Sequence, residues 1–418
     1  MKSFFCCAIC VLCVCCLCPA QSTEKVLYSF SGGTDGSNPT GKLLRDATGN
    51  LYGTTEWGGS EGYGTIFELS PDASGKWTEN TIYNFCQSFN GYSCLDGANP
   101  KAALIADSHG NLYGTTSLGG GFCAFESEGC GLAFELSPPS LPGGNWSYTQ
   151  LYAFCQAGNN NCPDGALPYG TLTFSGSGDL VGTTTTGGAN QVGGTVFQLA
   201  PSEGGWTETV LYSFCSQQVG ENCVDGYGPE SAVSFDSSGN LYGTTAAGGS
   251  SKYFGDGVVF KLSPSGDNWD ETVLIAFLNG PKGGTPEGAV NFDAKGDLYS
   301  TVSGGGQAGW GGVFQLPRTG TKENMFSFDM TNGAIPLSGV LIDPRNNDLY
   351  GTTSAGGTNN LGTVFRIADG KETVLHNFVG IDGSTPSGAL IADQYGHLYG
   401  TTADGGASSQ GVVFEIMP

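Results

Sequence analysis

The sequence predicts an all-β fold, a seven-bladed β-propeller with four antiparallel strands in each blade. A pentad, LYGTT or a near copy, occurs seven times along the chain. Each copy belongs to a unit of four short runs rich in Val, Ile, Leu, Tyr, Phe and Thr. Turns rich in Gly, Asp, Asn and Pro separate these runs, which is typical of antiparallel strands. The pentads begin at Leu51, Leu112, Leu180, Leu241, Leu298, Leu349 and Leu398.

The spacing between the pentads favours a propeller over other repeat folds. Successive pentads are 61, 68, 61, 57, 51 and 49 residues apart. A unit of about 50 residues with four strands fits a propeller blade, whereas a β-helix coil repeats about every 20–30 residues. No segment carries an apolar face at helical spacing over the length of a helix, so no long helix is expected.

The first repeat unit shows the order of the predicted strands, each four to six residues long. Residues 41–46, GKLLRD, form the first run, and a tight turn separates them from the pentad at Leu51. A Gly-rich loop leads to Thr65–Leu69, and Trp77 opens the run that ends at Phe85. By analogy with other propellers, we expect the first run at the axis, the pentad next, the TIFEL type third and the YSF type at the rim.

The two ends of the repeat region predict how the ring closes. The region begins with a YSF-type run, Val26–Phe30, and stops after a VFEL-type run, Val413–Ile416. The last blade therefore lacks an outer strand of its own, and the N-terminal run can supply it. This pairing is expected to close the ring and to remove an exposed sheet edge.

The N-terminus has the pattern of a signal peptide, predicted to span residues 1–20. Lys2 precedes an apolar run from Phe4 to Leu17, and small residues around Ala20 form a cleavage site. The run is too short to span a bilayer. We expect residues 21–418 to form a single propeller domain that is secreted, extracellular or at the cell surface.

The charge balance excludes two classes of partner. The formal net charge is −23, and only 13% of residues are charged. Nucleic acids and anionic membranes bind through Lys and Arg clusters, which this sequence lacks. We therefore expect no nucleic-acid partner. We also expect no membrane span and a monomeric chain. Its partner is expected to be a polysaccharide or another extracellular protein.

The repeat motifs resemble a known family. The combination D-x-x-G-N-L-Y-G-T-T-x-x-G-G, G-T-V-F-x-L, V-L-Y-S-F and D-G-x-x-P is similar to that of the GloVer-type choice-of-anchor tandem repeat family. The similarity extends over essentially the whole chain after residue 20. It implies a bacterial exported protein with a propeller-like fold and with no established biochemical activity.

Eight cysteines of the predicted mature chain fall into four close pairs, three of them at the same repeat position, F-C…C-x-D-G. An even, locally paired set in an exported protein indicates disulfides. Zinc is the alternative, but the pairs lack C-x-x-C spacing and flanking histidines. The predicted disulfides are Cys86–Cys94, Cys123–Cys130, Cys155–Cys162 and Cys215–Cys223.

Two sets of loops are expected on one face, which we call the loop face: the D-G-x-x-P loops between blades and the Gly-rich loops after the pentads. Variable loops on a rigid scaffold commonly carry binding. Aromatic residues that break the repeat lie in the Gly-rich loops, near the acidic residues Glu56, Glu61, Glu126 and Asp256. They suit stacking on sugar rings, although such residues also pin a loop to its neighbour. The candidate ligand-binding residues are Trp57, Tyr63, Phe122, Phe125, Tyr253, Phe254 and Trp310.

The repeated aspartates of the D-G-x-x-P loops have two interpretations. An Asp before Gly caps a turn. A ring of carboxylates would instead bind Ca²⁺, but no loop has the dense Asp spacing of a calcium loop. We therefore predict no cofactor and no metal, with calcium as the weaker alternative. These residues are Asp35, Asp96, Asp164, Asp225 and Asp382.

No catalytic residue is assigned from the sequence. His109, His376 and His397 all hold repeat positions, so no gathered histidine set is expected. The sequence favours a secreted, non-catalytic binding or surface-interaction module, with polysaccharide as a candidate ligand. A glycosidase or lyase that uses loop-face carboxylates and a structural cell-envelope protein are the alternatives.

Overall fold

A computed structural model describes residues 22–121, 123, 128–141, 143–156, 162–250, 255–278, 280–318 and 324–418. The predicted signal peptide lies outside these residues. Within them the chain forms seven four-stranded antiparallel sheets arranged as blades, which confirms the predicted seven-bladed propeller.

In blades 1 to 4 the strands follow one another in chain order from the innermost to the outermost. Blade 1 contains β2 (Leu44–Arg45), β3 (Leu51–Thr55), β4 (Thr65–Pro71) and β5 (Trp77–Asn84). Blade 2 contains β6 (Ile105–Ala106), β7 (Leu112–Thr116), β8 (Leu132–Ser137) and β9 (Ser147–Ala153). Blade 3 contains β10 (Thr173–Phe174), β11 (Leu180–Thr184), β12 (Thr195–Ser202) and β13 (Gly205–Ser213). Blade 4 contains β16 (Ser234–Phe235), β17 (Leu241–Thr245), β18 (Val258–Ser265) and β19 (Asn268–Ala276).

The remaining blades have the same arrangement from the axis to the rim. Blade 5 contains β20 (Asn291–Phe292), β21 (Leu298–Val302), β22 (Gly312–Leu316) and β23 (Asn324–Ser327). Blade 6 contains β24 (Leu341–Ile342), β25 (Leu349–Thr353), β26 (Thr363–Ala368) and β27 (Lys371–Asn377). Blade 7 contains β28 (Ile391–Ala392), β29 (Leu398–Thr402), β30 (Val412–Met417) and β1 (Thr23–Ser29). A small hairpin, β14 (Gln218–Val219) and β15 (Asn222–Cys223), and a 3₁₀ turn, Gly280–Lys282, lie in loops.

The ring closes as predicted, because β1 pairs antiparallel with β30 from Thr23↔Met417 to Ser29↔Val412. A second contact crosses the closure nearer the axis. The Thr401 hydroxyl donates to the Gly41 carbonyl, 3.2 Å away and buried. The equivalent threonine of blade 1, Thr54, donates to the Ala102 carbonyl of blade 2 at 3.0 Å, so the closure repeats the ordinary contact between blades.

The innermost strands are shorter than predicted: each has two paired residues instead of four to six. The reason lies in the neighbouring blade. At six of the seven interfaces a residue before the innermost strand directs its carbonyl to the pentad threonine of the preceding blade, as Ala102 does to Thr54, whereas the Thr115 hydroxyl of blade 2 has no hydrogen-bond partner among the described residues. These carbonyls are satisfied between blades, so the ladder within the blade starts later.

Seven pairs of buried phenylalanines hold adjacent blades together. In each pair, the Phe at the end of an outer strand packs on the Phe of the third strand of the next blade, with ring centroids 4.9–5.4 Å apart. Such edge-to-face pairs add to the stabilisation by burial. The pairs are Phe30–Phe67, Phe85–Phe134, Phe154–Phe197, Phe214–Phe260, Phe277–Phe314, Phe328–Phe365 and Phe378–Phe414.

The pentad glycine makes room for these rings. A Cβ atom built on Gly182 would lie 2.6 Å from the Phe197 ring, closer than any real contact. The glycine is therefore required for this close packing in blade 3. Blade 5 differs, since Ser300 holds the equivalent position opposite Phe314.

The two predicted loop sets do share one face. In every blade an isolated β-bridge joins the D-G-x-x-P loop to the Gly-rich loop. All four predicted disulfides are present in these loops and are confirmed. The seven bridges are Ser37↔Trp57, Ala98↔Leu118, Ala166↔Thr186, Tyr227↔Ala247, Gly284↔Gly304, Ala334↔Ala355 and Ser384↔Asp404.

Candidate functional site

A central channel of about 720 Å³ runs along the propeller axis and is lined by residues from all seven blades. Most of its lining consists of small or apolar residues. Among the described residues of the lining, four are charged: Lys42, Lys101, Glu230 and Glu287. Charges in such a wall are exceptions to the repeat, and they mark the part of the channel that differs from blade to blade.

Three of these charges occupy one repeat position, the residue after the proline of each D-G-x-x-P loop. This position forms a ring of seven side chains at the loop-face end of the channel, which we call the mouth ring. The proline is constant in the repeat, whereas the next residue changes type in almost every blade. The mouth ring consists of Thr40, Lys101, Tyr169, Glu230, Glu287, Leu337 and Ser387.

Lys101 is held by contacts on two sides. Its ammonium group lies 3.2 Å from the Glu56 carboxylate of the preceding blade. On the other side it lies 4.7 Å from the centroid of the Tyr169 ring, in a cation–π arrangement. Glu56 was predicted to lie beside loop-face aromatics, and its structural role is to orient this lysine.

The two glutamates of the mouth ring come from the neighbouring blades 4 and 5. Burial raises the pKa of Glu230, and the nearby charge of Lys101 partly opposes this rise. Burial also raises the pKa of Glu287, and the negative charge of Glu230 adds to it. The Ser303 hydroxyl donates to Glu287 Oε1 at 3.0 Å. The raised pKa values favour carboxyl groups that can hold a proton and donate a hydrogen bond.

Lys42 lies two residues after Thr40 in the chain and also lines the channel. Its side chain faces the channel, and the surrounding protein lowers its pKa by removing the ammonium group from bulk water. The mouth ring and Lys42 together place cations, carboxyls and one phenol around a single opening. Such a set can bind a hydroxyl-rich ligand through donors and acceptors, and it can also move a proton.

The mouth ring was missed by the sequence analysis, which looked for aromatics in the Gly-rich loops. The sequence did contain a usable signal, because the residue after the constant proline varies from blade to blade while the surrounding repeat is conserved along the chain. What the sequence did not show is that this position faces the axis in all seven blades, because the innermost strand was placed only by analogy.

Of the predicted ligand-binding aromatics, three lie in the described part of the chain. Trp57 and Trp310 are 44% and 39% exposed on the loop face. Tyr63 is half-buried and packs on the Cys86–Cys94 disulfide. Trp57 and Tyr63 belong to one loop in blade 1, whereas Trp310 lies in blade 5 at the position equivalent to Tyr63. Phe122, Phe125, Tyr253 and Phe254, with the acidic residue Glu126, lie outside the described residues.

The repeated aspartates cap their loops, in agreement with the turn interpretation. Asp35 accepts hydrogen bonds from the Ser31 backbone N–H at 2.7 Å and from the Tyr28 hydroxyl at 3.0 Å. The other four also accept a backbone N–H of their own loop. These carboxylates are therefore engaged in separate loops and are not gathered into one ring around an ion.

At five blade interfaces a half-buried glutamate of an outer strand faces an aspartate of the adjacent loop. In four of them this is one of the repeated aspartates, whereas Asp329 lies earlier in its loop. Burial raises the pKa of these glutamates to about 7, and that of Glu208 to about 8, and a neighbouring aspartate adds to each rise. The pairs are Glu24 with Asp382, Glu79 with Asp35, Glu208 with Asp164, Glu271 with Asp225 and Glu372 with Asp329.

One of these interfaces contains a histidine, which the sequence analysis did not expect to lie in a gathered set. His376 Nε2 lies 2.9 Å from Asp382 Oδ2, and Glu24 lies within 4.8 Å of both groups. His376 holds the repeat position that Tyr28 and Tyr152 hold elsewhere. At those two interfaces a tyrosine hydroxyl lies beside the aspartate and the glutamate, and here the imidazole of His376 takes its place. The cluster offers three atoms that could ligate a metal.

Among the residues that the structure describes, no helix is long and apolar enough to cross a membrane. The four disulfides are consistent with an extracellular protein, since such bonds persist in oxidising compartments.

Comparison with known proteins supports the fold. No curated protein matches the sequence. One similar solved structure is an ulvan lyase, a polysaccharide lyase bound to -[GlcA(1-4)Rha3S]-, with 11% identity, 92% of this chain and 94% of that chain covered, and a TM-score of 0.54. Another is a protein from Bacteroides fragilis provisionally assigned as a 6-phosphogluconolactonase, with 14% identity, 84% and 86% of the two chains covered, and a TM-score of 0.50. At these identities the likeness shows the fold alone.

The repeat itself is recognised by a family model. The model described as the Gloeobacter/Verrucomicrobia repeat matches residues 14–254 and again residues 228–418, so the two matches together extend over nearly the whole chain. This agrees with the resemblance seen in the repeat motifs. The chain therefore belongs to the Gloeobacter/Verrucomicrobia repeat family.

Proposed function

We propose that this protein is an exported, non-catalytic binding module that recognises a carbohydrate through its loop face, with the mouth ring as the main contact. The observation that carries the proposal is the convergence of Lys101, Tyr169, Glu230 and Glu287 at one end of the channel. Carbohydrate ligands are bound by hydrogen bonds from charged and polar groups together with contacts to aromatic rings, and this opening offers both.

The arrangement of the mouth ring supports a specific ligand rather than a structural role. Lys101 is oriented by Glu56 and Tyr169 before any ligand arrives, so little side-chain entropy is lost on binding. Glu230 and Glu287 are held next to each other at a cost, since burial and their mutual repulsion raise the pKa of Glu287. A ligand that donates hydrogen bonds to both carboxyls would relieve this cost.

The exposed loop-face tryptophans extend the proposed surface away from the axis. Trp57 follows Glu56 directly, so a saccharide that reaches the Lys101–Glu56 pair from blade 1 would pass this indole. Trp310 offers a second exposed ring on blade 5, the blade that also contributes Glu287. A chain of several sugar units, and hence a polysaccharide, is the ligand class that uses such separated contacts.

The test is binding of residues 21–418 to a polysaccharide array, with analysis of products in the same samples. Lys101→Met and Tyr169→Phe should each weaken binding about tenfold, which corresponds to about 1.4 kcal/mol. Trp57→Ala should weaken binding of long chains more than that of short oligosaccharides. Lys371→Met, an exposed change at the start of the outer strand of blade 6 and away from the channel, is the control for Lys101→Met. Unchanged binding by both mouth-ring variants would refute the proposed site.

A second candidate function is a carbohydrate-active enzyme, favoured by the raised pKa values of Glu230 and Glu287. A carboxyl group with a raised pKa is suited to act as a general acid, and a neighbouring carboxylate can act as the base. An enzyme would release new reducing ends or unsaturated uronates in the array samples, and Glu230→Gln would abolish this release. That result would refute the non-catalytic binding module in favour of the enzyme. Retention without products in the wild type supports the binding module.

A further inference from the structure

A tryptophan fills the same slot between blades at four interfaces. It opens the outer strand of one blade and packs on the pentad residue of the preceding blade. Trp269 packs beside Val181, because blade 3 has valine at the pentad tyrosine position. The other three have ring centroids 6.2–6.5 Å apart in the pairs Trp77–Tyr399, Trp146–Tyr52 and Trp206–Tyr113.

Blade 6 has no tryptophan at this position. Trp77 lies six residues before Tyr83 in β5, and the residue six before His376 in β27 is Gly370. The hairpin between β26 and β27 consists only of Asp369 and Gly370, both with positive φ. So short a turn cannot reach over the neighbouring blade. The pentad tyrosine of blade 5, which a tryptophan would cover, is Tyr299.

A cavity of about 460 Å³ occupies this interface and is lined by both Gly370 and Tyr299. At the next interface Ser22 holds the tryptophan position, and a cavity of about 290 Å³ lies beside Tyr350, the pentad tyrosine of blade 6, although Ser22 itself does not line it. In blade 5 the position falls on Gly320, outside the described residues. Among the described residues, the cavity lined by Gly370 is therefore the clearest case of a slot left open by a missing tryptophan. The larger one is within the range of small-molecule sites, about 300–1,000 Å³.

The walls of the larger cavity suit a flat apolar ring. Phe326, Val313 and Ile367 form the apolar side of the cavity, in one hydrophobic cluster with Tyr299. Asn347 donates to Asp293 at 3.1 Å from the longer inner hairpin of blade 6 and closes the slot towards the axis.

The rim of the cavity is polar. It includes Lys295 and Asp369, both exposed, and Asn346. These groups can meet the N–H or O–H of an aromatic ligand at its edge, and the Lys295 ammonium can lie against a ring face. The cavity thus combines an apolar body with polar groups at one side, which is the usual make-up of a site for an indole or a phenol.

We infer that the cavity between blades 5 and 6 is a binding site for an aromatic ring. The protein itself fills the same slot with indole at other interfaces, so the ring chemistry that the slot accepts is shown by its own packing. The ring can come from a small aromatic molecule or from a tryptophan or tyrosine side chain of a partner peptide. This site is independent of the mouth ring.

The test uses the protein labelled with ¹³C at its isoleucine δ1 methyl groups, because Ile367 lines the cavity while Ile66 and Ile275 do not. Indole and N-acetyl-tryptophanamide are titrated separately, with methyl glucoside as a non-aromatic probe. We expect a ring-current shift of the Ile367 methyl signal with little change at Ile66 and Ile275. Saturation by indole alone indicates a small-molecule site, and saturation by the amide indicates a peptide side chain.

Two variants make the result specific. Replacing Asp369–Gly370 with the blade 1 segment Pro71–Trp77 supplies the missing tryptophan and should weaken the aromatic probe at least tenfold. Trp206→Gly opens the matching slot between blades 2 and 3 and should add a second indole site without changing the Ile367 response. An unmoved Ile367 signal up to the solubility limit of both aromatic probes would overturn the inference. An equal response in the grafted variant, or a response to methyl glucoside alone, would do the same.

Discussion

Replacing Glu208 by glutamine should stabilise the propeller at alkaline pH and have little effect under acidic conditions. Glu208 lies in outer strand β13 of blade 3 and faces Asp164 at the interface with blade 2. Oε1 of Glu208 and Oδ1 of Asp164 are both buried without a hydrogen-bond partner. Asp164 Oδ2 already accepts from the Tyr152 hydroxyl at 2.9 Å and from the Cys155 N–H at 2.8 Å.

The direction of the effect follows from the raised pKa. Burial, with a further contribution from Asp164, raises the pKa of Glu208 from 4.5 to about 8. The folded-state pKa of Glu208 lies above the unfolded one. Below about pH 4.5 the carboxyl is protonated in both states, so it does not lower the free energy of unfolding. The stability is lost as the pH rises from about 4.5 through about 8, because the unfolded chain ionises Glu208 in this range while the folded protein keeps it protonated.

The size of the effect can be bounded. At about 1.4 kcal/mol per pKa unit, a shift from 4.5 to about 8 corresponds to at most about 5 kcal/mol at high pH. Water entry and relaxation of the half-buried site reduce the measurable part to about 1–3 kcal/mol. Glutamine has nearly the same shape and does not ionise, so the variant avoids this cost.

The assay is urea unfolding of residues 21–418 at pH 5, 7 and 9, with disulfides intact. We expect the stability difference between Glu208→Gln and the wild type to grow with pH and to reach about 1–3 kcal/mol at pH 9. Glu203→Gln, an exposed change in the adjacent hairpin, is the control and should show no such trend. A difference for Glu208→Gln that is constant across pH would refute the explanation by burial of the Glu208 carboxyl.

Three further predictions concern packing within a blade, ring closure and one disulfide. Gly182→Ala places a methyl group against the facing phenylalanine ring and should lower stability by about 1–3 kcal/mol, whereas Gly176→Ala, in open space, should have little effect in the same thermal melts. Thr401→Val removes the buried bond across the closure and should cost about 1–3 kcal/mol by urea unfolding; an unchanged midpoint would contradict its role. Replacing both Cys215 and Cys223 by serine should cost about 2–3 kcal/mol, and a wild-type melting temperature would show that the loop needs no staple.

Most of the fold could be predicted because nearly every blade is formed by one continuous repeat unit of the sequence. The pentad, the VFEL-type run and the YSF-type run lie within one unit, and their pairing needs only short turns. The disulfides were predictable for the same reason, since each joins cysteines seven or eight residues apart. The two-residue inner strands were not predicted, because their carbonyls bond to threonines of another blade.

The candidate sites were harder to predict because their residues are far apart in the chain. Lys101 and Glu230 belong to blades 2 and 4, and only the ring geometry turns both towards one channel. His376 and Glu24 are even further apart, and the pairing of β1 with β30 brings them within 4.8 Å. Propensity and periodicity carry no information about such contacts, since they describe neighbours within a unit.

The sequence by itself determined the number of blades, the four strands of each blade, the disulfide pairs and the strand that closes the ring. These features follow from periodicity and from short-range pairing, which the residue pattern states directly. Only the tertiary structure decided which departures from the repeat meet each other. Lys101, Tyr169, Glu230 and Glu287 gather at the channel mouth, and Gly370 leaves a cavity beside Tyr299, because a closed ring packs every blade against a different neighbour.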